Sequence, residues 1–214
     1  MTGKILIKKN SNKSTIFTDY YFDKKIIKKH NHLKIKFSDS VDLIYNDIRK
    51  FGFLKILSNK NLEINRHISK LGPEPLSSDF NFNYLKNKCK KKYISIKNFI
   101  MDQKNISGLG NIYVNEILFL ASIHPHSASF KLKESNWNDI FSNTKKVLKK
   151  AIKNNGTTLG DMTYVLPQGV YGNNQNNLYI YTKDKCFSCS NKIDKIFISS
   201  RATYVCEKCQ KIIN

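Results

Sequence analysis

Two hydrophobic rhythms divide the chain. In the first fifty-odd residues the pattern is that of strands. Gly3 to Lys8 and Ser14 to Asp19 are rich in β-formers, and His32 to Phe37 and Val41 to Tyr45 alternate apolar with polar side chains. Asn10 to Lys13 and Ser38-Asp39-Ser40 supply the turns, and Asp47-Ile48-Arg49-Lys50-Phe51-Gly52 breaks the alternation before Phe53 to Leu57. From Phe80 onward the period is helical. The pattern predicts helices over Phe80 to Lys88 (behind caps at Ser77-Ser78-Asp79), Ile94 to Lys104, Ile112 to Ile123 and Trp137 to Asn154. The last carries Ile140, Phe141, Val147, Leu148 and Ile152 at helical spacing, with Gly156 as its C-cap. Thr157 to Gln175 has no period and reads as a long loop, and Leu178 to Tyr181 as a further strand.

Between the two rhythms lies Leu71-Gly72-Pro73-Glu74-Pro75-Leu76, where two prolines fix φ and bias their predecessors away from helix. This stiff joint predicts a domain boundary, giving domains over 1–70, 71–176 and 177–214.

The candidate chemistry sits in two motifs. In Gly108-Leu109-Gly110-Asn111-Ile112-Tyr113-Val114-Asn115-Glu116 the glycines read as a tight turn, with Asn111 as N-cap of the helix that follows. Free backbone N–H groups at such a helix start attract phosphate. The second motif is Cys186-x2-Cys189, sixteen residues, then Cys206-x2-Cys209, a strong signature of a four-thiolate structural zinc site. The intervening residues suit a hairpin, Lys192 to Ile198 out and Ala202 to Val205 back, which zinc rather than a core would hold. Cys89 is left over and reads as an unreactive thiol.

Charge tells which phosphate to expect. The 214 residues carry 37 Lys and Arg against 16 Asp and Glu, a formal net charge of +21, which points to nucleic acid. A coding bias toward Lys, Asn and Ile would account for part of the lysine excess but not for the imbalance of 37 basic against 16 acidic residues. Lys88, Lys90, Lys91 and Lys92 form a basic run that reads as a solvated face or, beside the glycine turn, as a phosphate rail. No apolar run of eighteen residues and no signal peptide is present, and the expectation is a soluble, bacterial-type cytoplasmic, nucleoid-associated protein with no membrane partner.

Together the motifs resemble the formamidopyrimidine-DNA glycosylase and endonuclease VIII family, most closely its 8-oxoguanine branch. Leu71 to Leu76 resembles the family's interdomain joint, and Met101-Asp102-Gln103-Lys104 through Glu116 its helix–two-turn–helix. The four cysteines with Arg201-Ala202-Thr203 resemble its zinc finger, and Asp47 to Gly52 its void-filling loop. The resemblance runs from Met1 to about Gln210. It implies an α+β fold: a partial antiparallel β-sandwich, then a helical domain with a four-cysteine zinc-finger hairpin. DNA would lie across the cleft, with the damaged nucleotide flipped out of the stack because its reacting atoms are inaccessible in the duplex. Arg49, Phe51 and Met1 would fill the gap left behind, an apolar wedge replacing lost stacking and an arginine pairing with the orphaned base. His30, Arg49, Lys92, Lys97 and Asn111 match positions that grip phosphates. Arg201 matches an arginine assigned to phosphate contact and the late elimination step. The loop from Thr157 to Gln175 matches the one that closes on the flipped base. One structural Zn2+ on Cys186, Cys189, Cys206 and Cys209, a double-stranded damaged DNA partner and a monomer are implied.

The front of the chain departs from the family. There an N-terminal proline forms a Schiff base with C1′ of the sugar, an adjacent glutamate acts as acid and a lysine assists elimination. This sequence has no Pro-Glu at its amino terminus, and its first proline is Pro73. The expectation is a truncated chain without the catalytic segment, of a family of base-excision-repair glycosylases with AP lyase activity on oxidised purines. A damaged-DNA-binding module without catalysis and a zinc-ribbon RNA-binding protein are the alternatives.

Overall fold

The computed structural model describes residues 3–9, 15–17, 28–38, 40–61, 65–89, 93–160 and 171–213. Met1 and Lys92, and the parts of the 157–175 loop between 161 and 170, lie outside the described residues. The chain divides into two compact units, Met1–Leu57 with Lys153–Asn176, and Ser58–Ile152 with Asn177–Asn214.

In the first unit the alternating segments form an antiparallel sheet of four strands, β1 (Gly3–Lys9), β2 (Thr15–Phe17), β3 (Asn31–Lys36) and β4 (Val41–Asp47), in the order β2-β1-β4-β3. The register pairs Ile5 with Tyr45 and Ile7 with Leu43, and on the other side of β4 it pairs Leu33 with Tyr45 and Ile35 with Leu43. Ile5, Leu33, Ile35, Leu43 and Tyr45 therefore share one face, as period two requires, while Leu6 opposite Ile44 falls on the other. On the other face Asp42 is buried and ion-paired to Lys34 at 2.8 Å. Phe53 to Leu57 forms no strand.

The second unit holds α1 (Phe82–Cys89), α2 (Ile96–Met101), α3 (Asn111–Leu120) and α4 (Glu134–Lys153). Its core gathers Phe80, Leu85, Ile96, Phe99, Ile117, Leu118, Trp137 and Ile140, with the Phe99 and Trp137 rings edge to face at 5.5 Å. α3 is buried along almost its whole length, whereas α4 buries the stripe Trp137, Ile140, Thr144, Val147 and Ala151. Ile152, expected on that stripe, is exposed. The last turn presents Ala151 to the core instead, which places Ile152 one position (about 100°) off the stripe. A hairpin of β5 (Asp194–Ile198) and β6 (Arg201–Val205) completes the unit. It turns through Ser199 and Ser200, both with positive φ (49° and 61°), which matches the twist of a two-residue hairpin turn.

As compact units the chain divides at Leu57–Ser58, and the β5–β6 hairpin groups with the helices. The joint is bonded into the helical unit: Gly72 N–H donates to Gln103 O at 2.8 Å and Ser107 N–H to Pro73 O at 3.1 Å. Residues 153–176 group with the sheet unit. Leu178 to Tyr181 is not a strand, because its backbone donors are taken by a side chain, that of Glu116. No helix among the described residues is long and apolar enough to cross a membrane.

Candidate nucleic-acid interface and metal centre

Two knuckles build the metal centre. In the first, Ser190 N–H bonds to Cys186 O at 2.9 Å. In the second, Cys209 and Gln210 N–H bond to Cys206 O at 3.1 and 2.9 Å, so each C-x2-C turns its two sulfurs inward. The sulfurs of Cys186, Cys189, Cys206 and Cys209 all lie within 4.8 Å of one another, and Phe119, Ile180 and Ile193 pack against the cluster. Cys186 to Cys209 spans 3.8 Å and Cys189 to Cys206 spans 3.6 Å. A disulfide would bring sulfurs to about 2 Å. A tetrahedron with metal–sulfur bonds of about 2.3 Å has edges of about 3.8 Å. The four thiols can hold a metal ion, and their spacing fits a tetrahedral one. The backbone N–H of Asn191 favours the thiolate of Cys189, drawing it down to about 7. Burial and the neighbouring sulfurs push Cys209 up to about 12.

The glycine motif forms two turns between α2 and α3. Ser95 caps α2, its Oγ accepting Asn98 N–H at 3.3 Å. The helix ends at Met101, earlier than the predicted Lys104, because Asp102 turns the chain by accepting Lys104 N–H on its side chain. Gln103 then fastens the second turn: Oε1 accepts Gly108 N–H at 2.7 Å and Nε2 donates to Leu109 O at 2.9 Å. Gly108 has φ +79°, a conformation that favours glycine. Gly110, not Asn111, is the N-cap of α3. It has extended backbone and makes no side-chain cap bond, so Asn111 is the first helical residue and its side chain is free for another task.

That task is the hairpin. Asn111 Nδ2 donates to Ala202 O at 2.9 Å, while its Oδ1 is buried without a partner among the described residues. From α2, Lys97 Nζ reaches Thr203 Oγ1 at 2.5 Å and the same Ala202 O at 3.3 Å. Two candidate phosphate ligands, one from each motif helix, thus meet on one carbonyl of β6, beside the exposed Arg201. Lys97 is wholly buried, and burial first, then the Arg201 charge, lowers its pKa to about 8. One turn along α3, Asn115 Oδ1 accepts Tyr204 N–H at 2.8 Å. Glu116 accepts the N–H groups of Tyr179, Ile180 and Tyr181 at 2.7, 3.1 and 2.9 Å. Burial raises the Glu116 carboxyl against the opposing pull of those three donors. Asn115, Glu116, Gln103 and Thr203 were not singled out in the sequence. The i, i+4 spacing of Asn111 and Asn115 on a helix was the available signal for one of them.

Of the remaining candidates, His30, Arg49 and Phe51 belong to the sheet unit. His30 ends a 3-10 turn (Lys28–His30) leading into β3 and is half-buried. Arg49 and Phe51 follow β4 directly. The Arg49 guanidinium carbon lies 5.0 Å from the centre of the Phe51 ring, and that ring is 77% exposed. In the same unit, Gly172 N–H donates to Thr158 Oγ1 at 2.8 Å and Asn174 Nδ2 to Thr157 Oγ1 at 3.1 Å, so the two ends of the 157–175 loop are tied together.

A helix–two-turn–helix whose polar residues are locked onto a four-thiolate hairpin, in a chain of net charge +21, defines a nucleic-acid-binding class of protein. Residues 71–163 match the formamidopyrimidine-DNA glycosylase H2TH domain. The chain is 37% identical over 187 residues to the formamidopyrimidine-DNA glycosylase of Listeria innocua, covering 86% of this chain and 68% of that protein. It is 39% identical over 188 residues to that of Pasteurella multocida (87% and 68%) and 38% over 186 residues to that of Oceanobacillus iheyensis (86% and 66%). It thus spans about two thirds of the length of these relatives. Similar solved structures include the Lactococcus lactis Fpg in complex with DNA containing an abasic site (TM-score 0.79, 34% identity, 99% of this chain and 72% of that one). Another is MutM in complex with DNA containing carbocyclic 8-oxo-G (TM-score 0.79, 34% identity, 99% and 72%). The chain belongs to the formamidopyrimidine-DNA glycosylase family.

Proposed function

We propose that the protein acts in base-excision repair as a DNA glycosylase with AP lyase activity. Its substrates are oxidised purines such as 8-oxoguanine and formamidopyrimidines, which it extrudes from duplex DNA. The observation that carries this reading is the meeting of Lys97 and Asn111 on Ala202 O beside Arg201, since it draws cationic and polar groups of both motif helices and the hairpin to one place. There Asn111, Lys97 and Arg201 bind the phosphates around the lesion, Arg201 also serving the late elimination step. His30, Arg49 and Lys92 add phosphate contacts from elsewhere in the chain, and Met1, Arg49 and Phe51 fill the gap left by the flipped nucleotide. Cys186, Cys189, Cys206 and Cys209 hold one structural Zn2+, the ion for which a tetrahedral four-thiolate set is best suited. The protein is cytoplasmic and monomeric, and its partner is double-stranded damaged DNA.

The alternative reading is a lesion-binding protein without lyase chemistry. Borohydride trapping on a duplex carrying an abasic site, with a gel shift on the same duplex, tests both. A shift with a covalent adduct supports the lyase reading. A shift without an adduct supports the binding reading, and no preference for the abasic duplex over an intact one removes both.

A further inference from the structure

The loop that carries Arg49 and Phe51 is shaped by a carboxylate to which no role has yet been given. Asp47, the last residue of β4, is only 1% exposed. Its Oδ1 accepts the backbone N–H of Arg49 at 3.2 Å. Its Oδ2 accepts the backbone N–H of Gly52 at 3.0 Å and the hydroxyl of Tyr45 at 3.1 Å. Its own carbonyl lies 2.8 Å from His32 Nε2 on β3. One side chain therefore grips both ends of the turn from residue 48 to residue 52, while Lys50 between them takes φ 55°.

The surroundings leave that turn little freedom. Tyr45 lies across Gly52 so closely that a Cβ there would sit 1.7 Å from the phenol oxygen and 2.9 Å from the ring carbon bearing it. Burial, then the Asp47 carboxylate, pushes the Tyr45 phenol above its ordinary range, so the hydroxyl stays protonated and donates at neutral pH. Only a group with acceptors on both oxygens can receive Arg49 N–H, Gly52 N–H and Tyr45 Oη–H together. An asparagine would turn an N–H2 donor toward at least one of them.

We propose that Asp47 is the positioning residue of the Arg49–Phe51 wedge: its ionised carboxylate holds the turn that presents the stacked guanidinium and ring to the duplex before DNA arrives. The inference rests on the reading of Arg49 and Phe51 as the residues that enter the gap. Asp47 itself does not touch DNA. Its effect passes through the backbone of residues 49 and 52, and it sets how well the protein tells a duplex with a gap from an intact one.

The test uses the full chain and two duplexes at one salt concentration, one intact and one carrying a tetrahydrofuran abasic analogue with 2-aminopurine on the opposite strand. Affinities are read by anisotropy, wedge entry by 2-aminopurine fluorescence, and folding by the thermal midpoint. Arg49→Ala is expected to lower the abasic-to-intact affinity ratio by about tenfold, and Asp47→Asn by a similar factor. For Asp47→Asn the intact-duplex affinity and thermal midpoint stay close to those of the unsubstituted protein, and the 2-aminopurine signal is lost. The double variant is no worse than Arg49→Ala alone, because both changes remove the same event. If Arg49→Ala lowers the ratio and Asp47→Asn leaves it unchanged, the inference about Asp47 is overturned and the wedge survives. If Arg49→Ala leaves the ratio unchanged, the wedge reading itself falls and the inference with it. Should Asp47→Asn not fold, Tyr45→Phe carries the test, since it removes a single donor to the same carboxylate. A drop of about threefold is expected, and an unchanged ratio counts against Asp47.

Discussion

Glu116 and Ile180 are 64 positions apart in sequence, yet the carboxylate of one accepts the backbone N–H of the other at 3.1 Å. Tyr179 and Tyr181 donate to the same carboxylate, so a single side chain of α3 replaces the sheet partner that residues 178–181 lack. Glu116→Ala would leave three backbone donors unpaired, two of them half-buried and one wholly buried. The expected loss is roughly 3–5 kcal/mol of stability in the helical unit. Urea unfolding of the two proteins checks it, and an unchanged midpoint would mean that water satisfies those donors. Glu116→Gln, which keeps an acceptor and the volume, should lose less.

Lys97 supplies a pH signature. Its folded-state pKa is lowered to about 8 from 10.5, by burial first and by Arg201 second. Below pH 8 it is protonated in both the folded and the unfolded chain. Between about 8 and 10.5 the unfolded chain holds more protons, so stability attributable to this group rises with pH across that window, by on the order of 1–2 kcal/mol. Lys97→Met should abolish that rise and be nearly neutral for stability at pH 7, since a charge that costs energy to bury is removed. Affinity for DNA should move the other way, falling as Lys97 loses its charge. Denaturant midpoints at pH 7, 8.5 and 10 for both proteins decide the matter.

What the sequence made legible was what local spacing encodes. β1, β3 and β4 lie within two residues of their predicted ends, because β-former runs and period-two alternation bounded by turn residues mark a strand locally. The four thiols could be paired to one site from the C-x2-C spacing alone. What stayed hidden was non-local. Leu178 to Tyr181 has a strand's composition, but its hydrogen-bond partner is Glu116. Gly72 and Pro73 have a linker's composition, yet they are bonded to the motif turns. Lys97 and Asn111 were visible one at a time, whereas their shared acceptor, Ala202, lies 105 and 91 positions further along the chain. Asn111 shows the same limit at short range: Gly110 takes the cap position and releases the asparagine to the hairpin.

That shared acceptor extends the reach of the metal site. Cys206→Ser removes one of the four thiols that can hold a metal ion; it should abolish stoichiometric metal binding and loosen β6, which begins five residues before it and carries Ala202 and Thr203. Lys97 and Asn111 then lose their common partner although neither touches the metal. The expected result is a fall in DNA affinity larger than that of Arg201→Ala, which removes a charge and leaves the hairpin standing. Metal content by plasma spectrometry and anisotropy on an abasic duplex give the comparison. Equal losses for the two variants would confine the metal's role to Arg201. Asn111→Ala alone should cost roughly 1–3 kcal/mol of DNA affinity, the range for a lost hydrogen bond to a charged partner.

Gly72 ties the proline joint to the motif. A Cβ at this position would lie 2.4 Å from the carbonyl carbon and oxygen of Asn105 and 2.8 Å from the nitrogen of Ile106. All three atoms are backbone, so none can swing aside as a side chain would. Relief requires the joint to lift away from the first turn, and that breaks the bond from Gly72 N–H to Gln103 O. Gln103 is also the residue that fastens the second turn through Gly108 and Leu109, so the displacement passes to the start of α3 and to Asn111. Gly72→Ala is therefore expected to destabilise the protein by roughly 1–3 kcal/mol, the usual range for overpacking. It should also weaken binding to an abasic duplex under conditions where the protein remains folded. Gly160→Ala is the control for stability, because among the described residues nothing lies within 4 Å of a Cβ there. A Gly72→Ala protein that melts lower but binds DNA as before would show that the joint supports the fold without steering the turn.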